Sequence, residues 1–414
     1  MKILYLIHKF PETSHTFIRN QIHDIITRGH DISILCTFDE TAKFDNDPSF
    51  QSNIFKRITF GDSYPKSIRE WVSWAFMQIV RALREPFFWK ALKYLPLRDI
   101  VRQAVLLNQI LYYSKDQPAP DIIHGHFAIN AVALAALRKT GLFQNSRLVV
   151  SFHGCDLHHY SGSFYRFLKQ ETDVFTVNSH FSHKKALELG CAEDKVRVIP
   201  ASYNSEIFQP QPRKNVPTCH PIRILFVGRL CELKGPHIAL KAFSILKKEN
   251  TRPVYLDMVG EGNMMCVLRK KIDEWDLGES VCLHGSLNQE CIKKLMTDSD
   301  IFLFPGIADK NGTQEAQGLV IQEAQAMELP VIASNTGGVP EGLLDGKSGF
   351  VVEQKDVDTI VEKLLLLCDD NTLRQQMGVA GRDFVQANYS QKIIGNKFES
   401  IYYSLNSSRK DKEP

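Results

Sequence analysis

Residues 222–228 read IRILFVG, and Lys234-Gly235-Pro236 opens the next helical stretch. An apolar strand followed by a turn and a helix that starts on proline is half of a crossover unit. The same alternation continues downstream in VYLDMVG, VCLHGS, IFLFPG, PVIAS and GFVVE. Upstream it is met in KILYLIH, DISILCTF, DIIHGH, RLVVSFHG and VFTVNS, with helical spacing of apolar residues from Thr16 to Arg28 and from Ala131 to Lys139. The pattern implies α/β architecture, with parallel sheets covered by helices.

Two such series fit the length of 414 residues better than one core does. They are separated by NSEIFQPQPRKNVPTCHP at 204–221, whose four prolines oppose both helix and ladder bonding. The expected organisation is a Rossmann-like doubly wound domain at 1–204, a linker at 205–221 and a second such domain at 222–385, with the two facing across a hinge. A terminal helix returning toward the first domain and a charged, unstructured tail fill 386–414. Ligands of such sheets bind beyond the carboxyl ends of the strands, so chemistry is sought in those loops.

Composition narrows the class. Hydrophobic residues at 43% and charged residues at 23% exclude disordered, collagen-like and heptad-repeat chains. A formal charge of +3 argues against a nucleic-acid partner. The nine cysteines lie apart without a Cys-x-x-Cys pair, which suggests free thiols and no zinc site. MKILYLIHKF is too short and too polar for a signal segment, and no run spans a bilayer, so the expected location is cytoplasmic.

Gly228, Arg229 and Lys234 bring a close-approach glycine and two cations to one strand end, which suits a diphosphate or an ordinary solvated turn. In EAQGLVIQE, Glu315 and Glu323 are eight helical steps apart, about 800°, and so would not share a helix face; Glu315 is placed in the loop before the helix. Helix entry at Gly318 would free the amides of Gly318, Leu319 and Val320 for phosphate oxygens, while Glu323, as an anion, could accept ribose hydroxyls. A solvated helix with acidic first turns fits the same spacing.

Taken together, GR with KG, the Glu-seven-residues-Glu segment with GLVIQEAQA, and SNTGGVPEGLLDGKSGF resemble the GT4-type retaining glycosyltransferases of GT-B fold. HKFPETSHTFIRNQI and SFHGCDL resemble the subgroup that builds bacterial surface polysaccharides. The resemblance implies transfer of a sugar, a hexose in particular, from a nucleotide diphosphate sugar to a saccharide or polyprenyl-linked hydroxyl, with the departing phosphate taking the acceptor proton. It implies that Arg229 and Lys234 neutralise the diphosphate, Glu323 binds ribose, Glu315 binds the donor sugar, and His153 approaches that sugar from the acceptor side. No metal or other cofactor is expected, because the cations and the helix start can meet the leaving charge. Asp298-Ser299-Asp300 is read as a helix-to-strand turn.

The chain departs from the family pattern in several places. HKFPETSHT replaces a glycine-rich loop after the first strand, leaving Ser14, His15 and Thr16 for acceptor or phosphate contact. Glu328 stands where glycine is frequent and fits only if that turn avoids positive φ. Gln317 replaces an apolar residue. Gly260, Gly262 and His284 at further strand ends are candidates to border the nucleotide base, or plain tight turns. Between 63 and 117 an insert mixes Trp71, Trp74, Phe76 and Trp89 with Lys66, Arg69, Arg84, Lys90 and Arg102. Such helices either lie on the inner face of an anionic membrane or pack with a solvated basic face. Rival readings are a nucleotide-sugar epimerase or phosphorylase of the same fold and a non-catalytic donor-binding subunit. A dinucleotide dehydrogenase lacks its glycine fingerprint after the first strand.

Overall fold

Strands whose residues are apolar on both faces need cover on both faces, and parallel sheets with crossover helices provide it. A computed structural model describes residues 1–12, 15–41, 52–63, 65–210 and 220–410 of the chain. Ser14, Cys219, the middle of the expected linker and the last four residues lie outside the described residues.

The first sheet is built from β1 (Lys2–Phe10), β2 (Asp31–Asp39), β3 (Ile58–Ser63), β4 (Ile122–His126), β5 (Arg147–Ser151), β6 (Val174–Val177) and β7 (Val196–Val198). All neighbours are parallel, in the order β3-β2-β1-β4-β5-β6-β7. The order reverses between β1 and β4, which opens a crevice at their carboxyl ends. β3 and β7 are edge strands that no apolar run announced; β3 carries Gly61 and Asp62, and β7 has three residues.

The second sheet contains β8 (Ile222–Val227), β9 (Val254–Val259), β10 (Val281–Gly285), β11 (Ile301–Phe304), β12 (Val331–Ser334) and β13 (Gly349–Val352). Its order is β10-β9-β8-β11-β12-β13, again parallel, and it reverses between β8 and β11. The loops after those two strands are the ones the sequence singled out.

The chain divides into two compact units, one of Met1–Ile199 with the segment from Gly395 onward, the other of Pro200–Ile394. The first break therefore falls before residue 204. Ala201 is held in the second unit by Gln317, whose Oε1 accepts from the Ala201 N–H at 2.7 Å and whose Nε2 donates to its carbonyl at 3.0 Å. The last helix, Gln391–Lys410, runs through NSSRK at 406–410, the start of the charged terminal stretch NSSRKDKEP that was expected to be unstructured. In the first unit its Tyr402 hydroxyl meets His124 Nδ1 at 2.6 Å and Tyr5 Oη at 3.2 Å, and Glu399 meets His30 at 2.9 Å.

The insert is helical, as Ile68–Leu83, Pro86–Leu92 and Ile100–Asp116. Asp62 of β3 anchors it by accepting from Trp74 Nε1 at 2.8 Å and from Gln78 Nε2 at 2.6 Å. The helix Ile68–Leu83 buries Ala75, Gln78 and Ala82 and turns Ile68, Trp71, Val72 and Phe76 outward, the reverse of an ordinary surface helix. No helix among the described residues is long and apolar enough to cross a membrane.

Candidate active site

In the second unit, Gly235 adopts φ +70°, and a Cβ there would lie 1.8 Å from the Pro305 carbonyl oxygen. Only glycine lets the turn after β8 press onto the segment after β11. That contact delivers Lys234, whose Nζ donates to Glu315 Oε2 and sits 5.2 Å from the Phe304 ring centroid. Glu315 is fixed from behind by its own carbonyl, which accepts from the Gly338 N–H at 2.9 Å. Burial alone would raise the Glu315 pKa, but the Lys234 ammonium, the charge of Arg229 and the Gly318 N–H hold it below the usual range. Arg229, Lys234, Glu315 and the start of the helix Leu319–Ala326 thus form one cluster.

Two details differ from the sequence expectation. Glu315 is not a free carboxylate awaiting a hydroxyl; it is the partner of Lys234, so the cluster of two cations and one anion carries a net charge of only +1. The Gly318 N–H is not vacant either, since Glu315 accepts it. Leu319 and Val320 stand in the first turn of the helix, where backbone amides have no acceptor within the helix.

Glu323 lies buried within that helix, and burial, only partly offset by the Gln289 side chain, pushes its pKa up to about 8. Near neutral pH it is protonated rather than anionic. As a carboxylic acid it can donate a hydrogen bond, which a carboxylate cannot.

The remaining sequence candidates in this unit have structural partners. Gly260 takes φ +136°, and a Cβ there would meet the Gly228 carbonyl oxygen at 1.9 Å; one at Gly262 would meet that of Leu230 at 2.3 Å. Both glycines cradle the Arg229 loop. His284 Nε2 faces Asp257 Oδ1 at 2.6 Å, Cys282 Sγ lies 3.8 Å from its other nitrogen, and Asp257 also pairs with Arg223 at 3.2 Å. These three side chains could converge on a metal ion, although Arg223 already occupies one Asp257 oxygen. Asp300 accepts the Arg223 N–H, in keeping with a structural turn. Glu328 does take positive φ, +60°, against the expectation that its turn avoids it, and Arg382 Nη1 holds its carboxylate at 2.8 Å.

In the first unit, His153 follows β5 and stacks on His126 of β4 with centroids 5.2 Å apart; its Nε2 lies 3.0 Å from His126 Nδ1. Burial, then the neighbouring imidazoles, pushes both pKa values well below the ordinary histidine range, so both rings are neutral. Asp156 fixes the loop by accepting from the amides of His153 at 2.9 Å and Ala128 at 2.8 Å. Phe127, whose ring is 4.7 Å from His153, also lines a cavity of about 310 Å³ with His8, Lys9, His15, Arg102 and Asn130. Thr16 begins the helix Thr16–Thr27 beside it.

Two family models match nearly the whole chain in succession, Glycosyltransferase Family 4 over residues 15–206 and Glycosyl transferases group 1 over residues 208–384. The chain belongs to the glycosyltransferases.

This glycosyltransferase is 26% identical over 412 residues to WcaL of Escherichia coli K12, named for colanic acid biosynthesis, covering 98% of this chain and all of that one. It is also 26% identical over 419 residues to the amylovoran biosynthesis glycosyltransferase AmsK of Erwinia amylovora, with the same coverage. HepE of Anabaena, solved with UDP and glucose, superposes with a TM-score of 0.71 at 16% identity, over 98% of this chain and all of that one. The fold of the glycosyltransferase is GT-B. Sequence reasoning had found the basic and acidic cluster but missed the His126 partner of His153 and the Asp156 anchor. The His-Gly-His spacing at 124–126 was the available signal, and it acquires meaning only once β4 lies beside β5.

Proposed function

We propose that the enzyme transfers a sugar, with retention of configuration, from a nucleotide diphosphate sugar to a hydroxyl of a saccharide or polyprenyl-linked acceptor in surface polysaccharide biosynthesis. The observation that carries this reading is the convergence of Arg229, Lys234 and Glu315 on the first turn of the helix after Gly318. The names of WcaL and AmsK support the pathway class, and the UDP and glucose held by HepE support the donor class.

When the bond between the anomeric carbon and the diphosphate oxygen breaks, the charge of the departing diphosphate grows. Arg229 and Lys234 would neutralise it, with the amides of Leu319 and Val320 as donors, and no divalent ion is required. Diphosphate binding draws Lys234 away from Glu315, which frees that carboxylate for donor-sugar hydroxyls. Glu323 would bind the ribose. The acceptor hydroxyl adds to the same face of the anomeric carbon and loses its proton to the departing phosphate oxygen. Neutral His153 would meet the sugar as a hydrogen-bonding partner.

The outward apolar face of the helix Ile68–Leu83, in an insert that also carries Lys66, Arg69, Arg84, Lys90 and Lys93, would bring the enzyme to the cytoplasmic surface of an anionic bilayer.

The test is incubation with UDP-, GDP- and ADP-sugars, with and without lipid-linked saccharide, followed by NMR of the product. A new glycosidic bond with the donor's anomeric configuration, formed equally well in EDTA, is expected. Sugar inversion at a carbon of the donor without any acceptor would point to an epimerase instead.

A further inference from the structure

The cavity beyond the carboxyl ends of β1 and β4 contains an arginine that makes no ion pair among the described residues. Arg102, on the insert helix Ile100–Asp116, donates from Nη2 to Asn130 Oδ1 at 2.8 Å, and Asn130 is itself locked by donating from Nδ2 to the His126 carbonyl at 2.7 Å. The Arg102 Nε is buried with no partner, and among the described residues no carboxylate pairs with the guanidinium. Glu12 and Asp156 line the same cavity and Asp99 acts on Arg102 through its charge, but none of the three is in ion-pair contact with the guanidinium. Asp156 accepts backbone amides, Asp99 accepts the Tyr160 hydroxyl at 2.8 Å, and Glu12 is 42% exposed, with one oxygen 3.2 Å from His15 Nδ1.

Burial lowers the Arg102 pKa against the opposing pull of Tyr160 and Asp99, and burial, then the charges of Arg102 and Lys9, push that of His8 down to about 3. His8 and His15 therefore line the cavity as neutral imidazoles able to hydrogen-bond without competing for an anion. Keeping a half-buried guanidinium with a partnerless Nε and no ion pair is costly, and sites that bear such a cost are characteristically those whose partner arrives as a ligand.

We propose that this cavity binds an oxyanion of the acceptor, a phosphate or a carboxylate, with Arg102 as its direct partner and Asn130 as the residue that orients it. The inference rests on the glycosyltransferase reading above and sharpens it: the acceptor is an anionic saccharide. The planar fork of arginine presents two parallel donors to either oxyanion, and the insert supplies it in the unit that the sequence assigns to the acceptor.

Calorimetric titration of the full chain with inorganic phosphate, D-glucuronate and D-glucose tests the proposal. At least one anion is expected to bind while glucose does not, and the one that binds identifies the acceptor group as phosphate or uronate. Arg102→Gln is expected to weaken that binding by about 10- to 100-fold while leaving the melting temperature equal or higher, because a charged hydrogen bond to the ligand is lost and an unpaired charge is removed. Asn130→Asp keeps Arg102 but gives it an internal counter-ion, and it too is expected to weaken that binding by about 10-fold or more. Anions that bind wild type and both variants alike, or no anion binding at all, overturn the proposal. A parallel titration of wild type with UDP, GDP and ADP separates the outcomes, since nucleotide binding without anion binding defeats this inference alone, and the absence of both defeats the glycosyltransferase site as well.

Discussion

Lys234 and Glu315, 81 residues apart, form a hydrogen-bonded ion pair with side chains only 16% and 15% exposed. The pair joins the turn after β8 to the loop after β11, the two strands at which the second sheet reverses. Lys234→Ala leaves a largely buried carboxylate without its partner, which costs on the order of 2–3 kcal/mol. Adding Glu315→Gln is expected to restore most of that stability in chemical denaturation. Turnover should fall by about 10²- to 10³-fold in both the single and the double variant, because the leaving charge has lost a cation. A double variant with near wild-type turnover would falsify the assigned role of Lys234.

Protonated Glu323 gives stability a specific pH dependence. Its pKa rises from the 4.5 of an exposed glutamate to about 8 in the folded chain, so between those values the folded state holds a proton that the unfolded state has released. This contribution is complete below about pH 4.5 and declines as pH rises through 8, with a limiting slope of about 1.4 kcal/mol per pH unit. Glu323→Gln should flatten the melting-temperature profile across that window. An unchanged profile would show that Glu323 is ionised when folded.

Glu328 pays a conformational cost at φ +60° that glycine would not, while its half-exposed pair with Arg382 returns little. Glu328→Gly is expected to leave stability within about 1 kcal/mol of wild type, whereas Gly378→Ala, whose Cβ would lie 2.2 Å from the Glu328 carbonyl oxygen, should destabilise by more than that. Thermal melts of the two variants measure the contrast.

The outward face of the helix Ile68–Leu83 should govern attachment to lipid. Ile68 is 82% and Phe76 63% exposed, beside Arg69. Flotation with phosphatidylglycerol vesicles is expected to carry the protein, with less recovery at high salt and little after Trp71→Ser with Phe76→Ser. Equal flotation of wild type and the double variant would leave this helix as a packing element only.

The strands of the second sheet were legible as apolar runs, because strands under crossover helices are mostly apolar; the edge strand β10, with Cys282 exposed, is the least so. The cluster of Arg229, Lys234 and Glu315 was legible as residues, since glycines and charges at strand ends mark where a backbone comes close to a ligand. Their pairing was not. Whether Glu315 faces a sugar or Lys234 depends on β8 and β11 becoming neighbours across a long stretch of sequence.

By itself, then, the sequence determined the alternation of strands and helices and the residue types at the strand ends, which follow from local periodicity and turn chemistry. Only the tertiary structure decided the protonation of Glu323, the stacking of His126 on His153 and the contact of Arg102 with Asn130 rather than, among the described residues, with a carboxylate. Each of these depends on burial and on partners from distant segments, and a buried group's charge is set by what surrounds it in space.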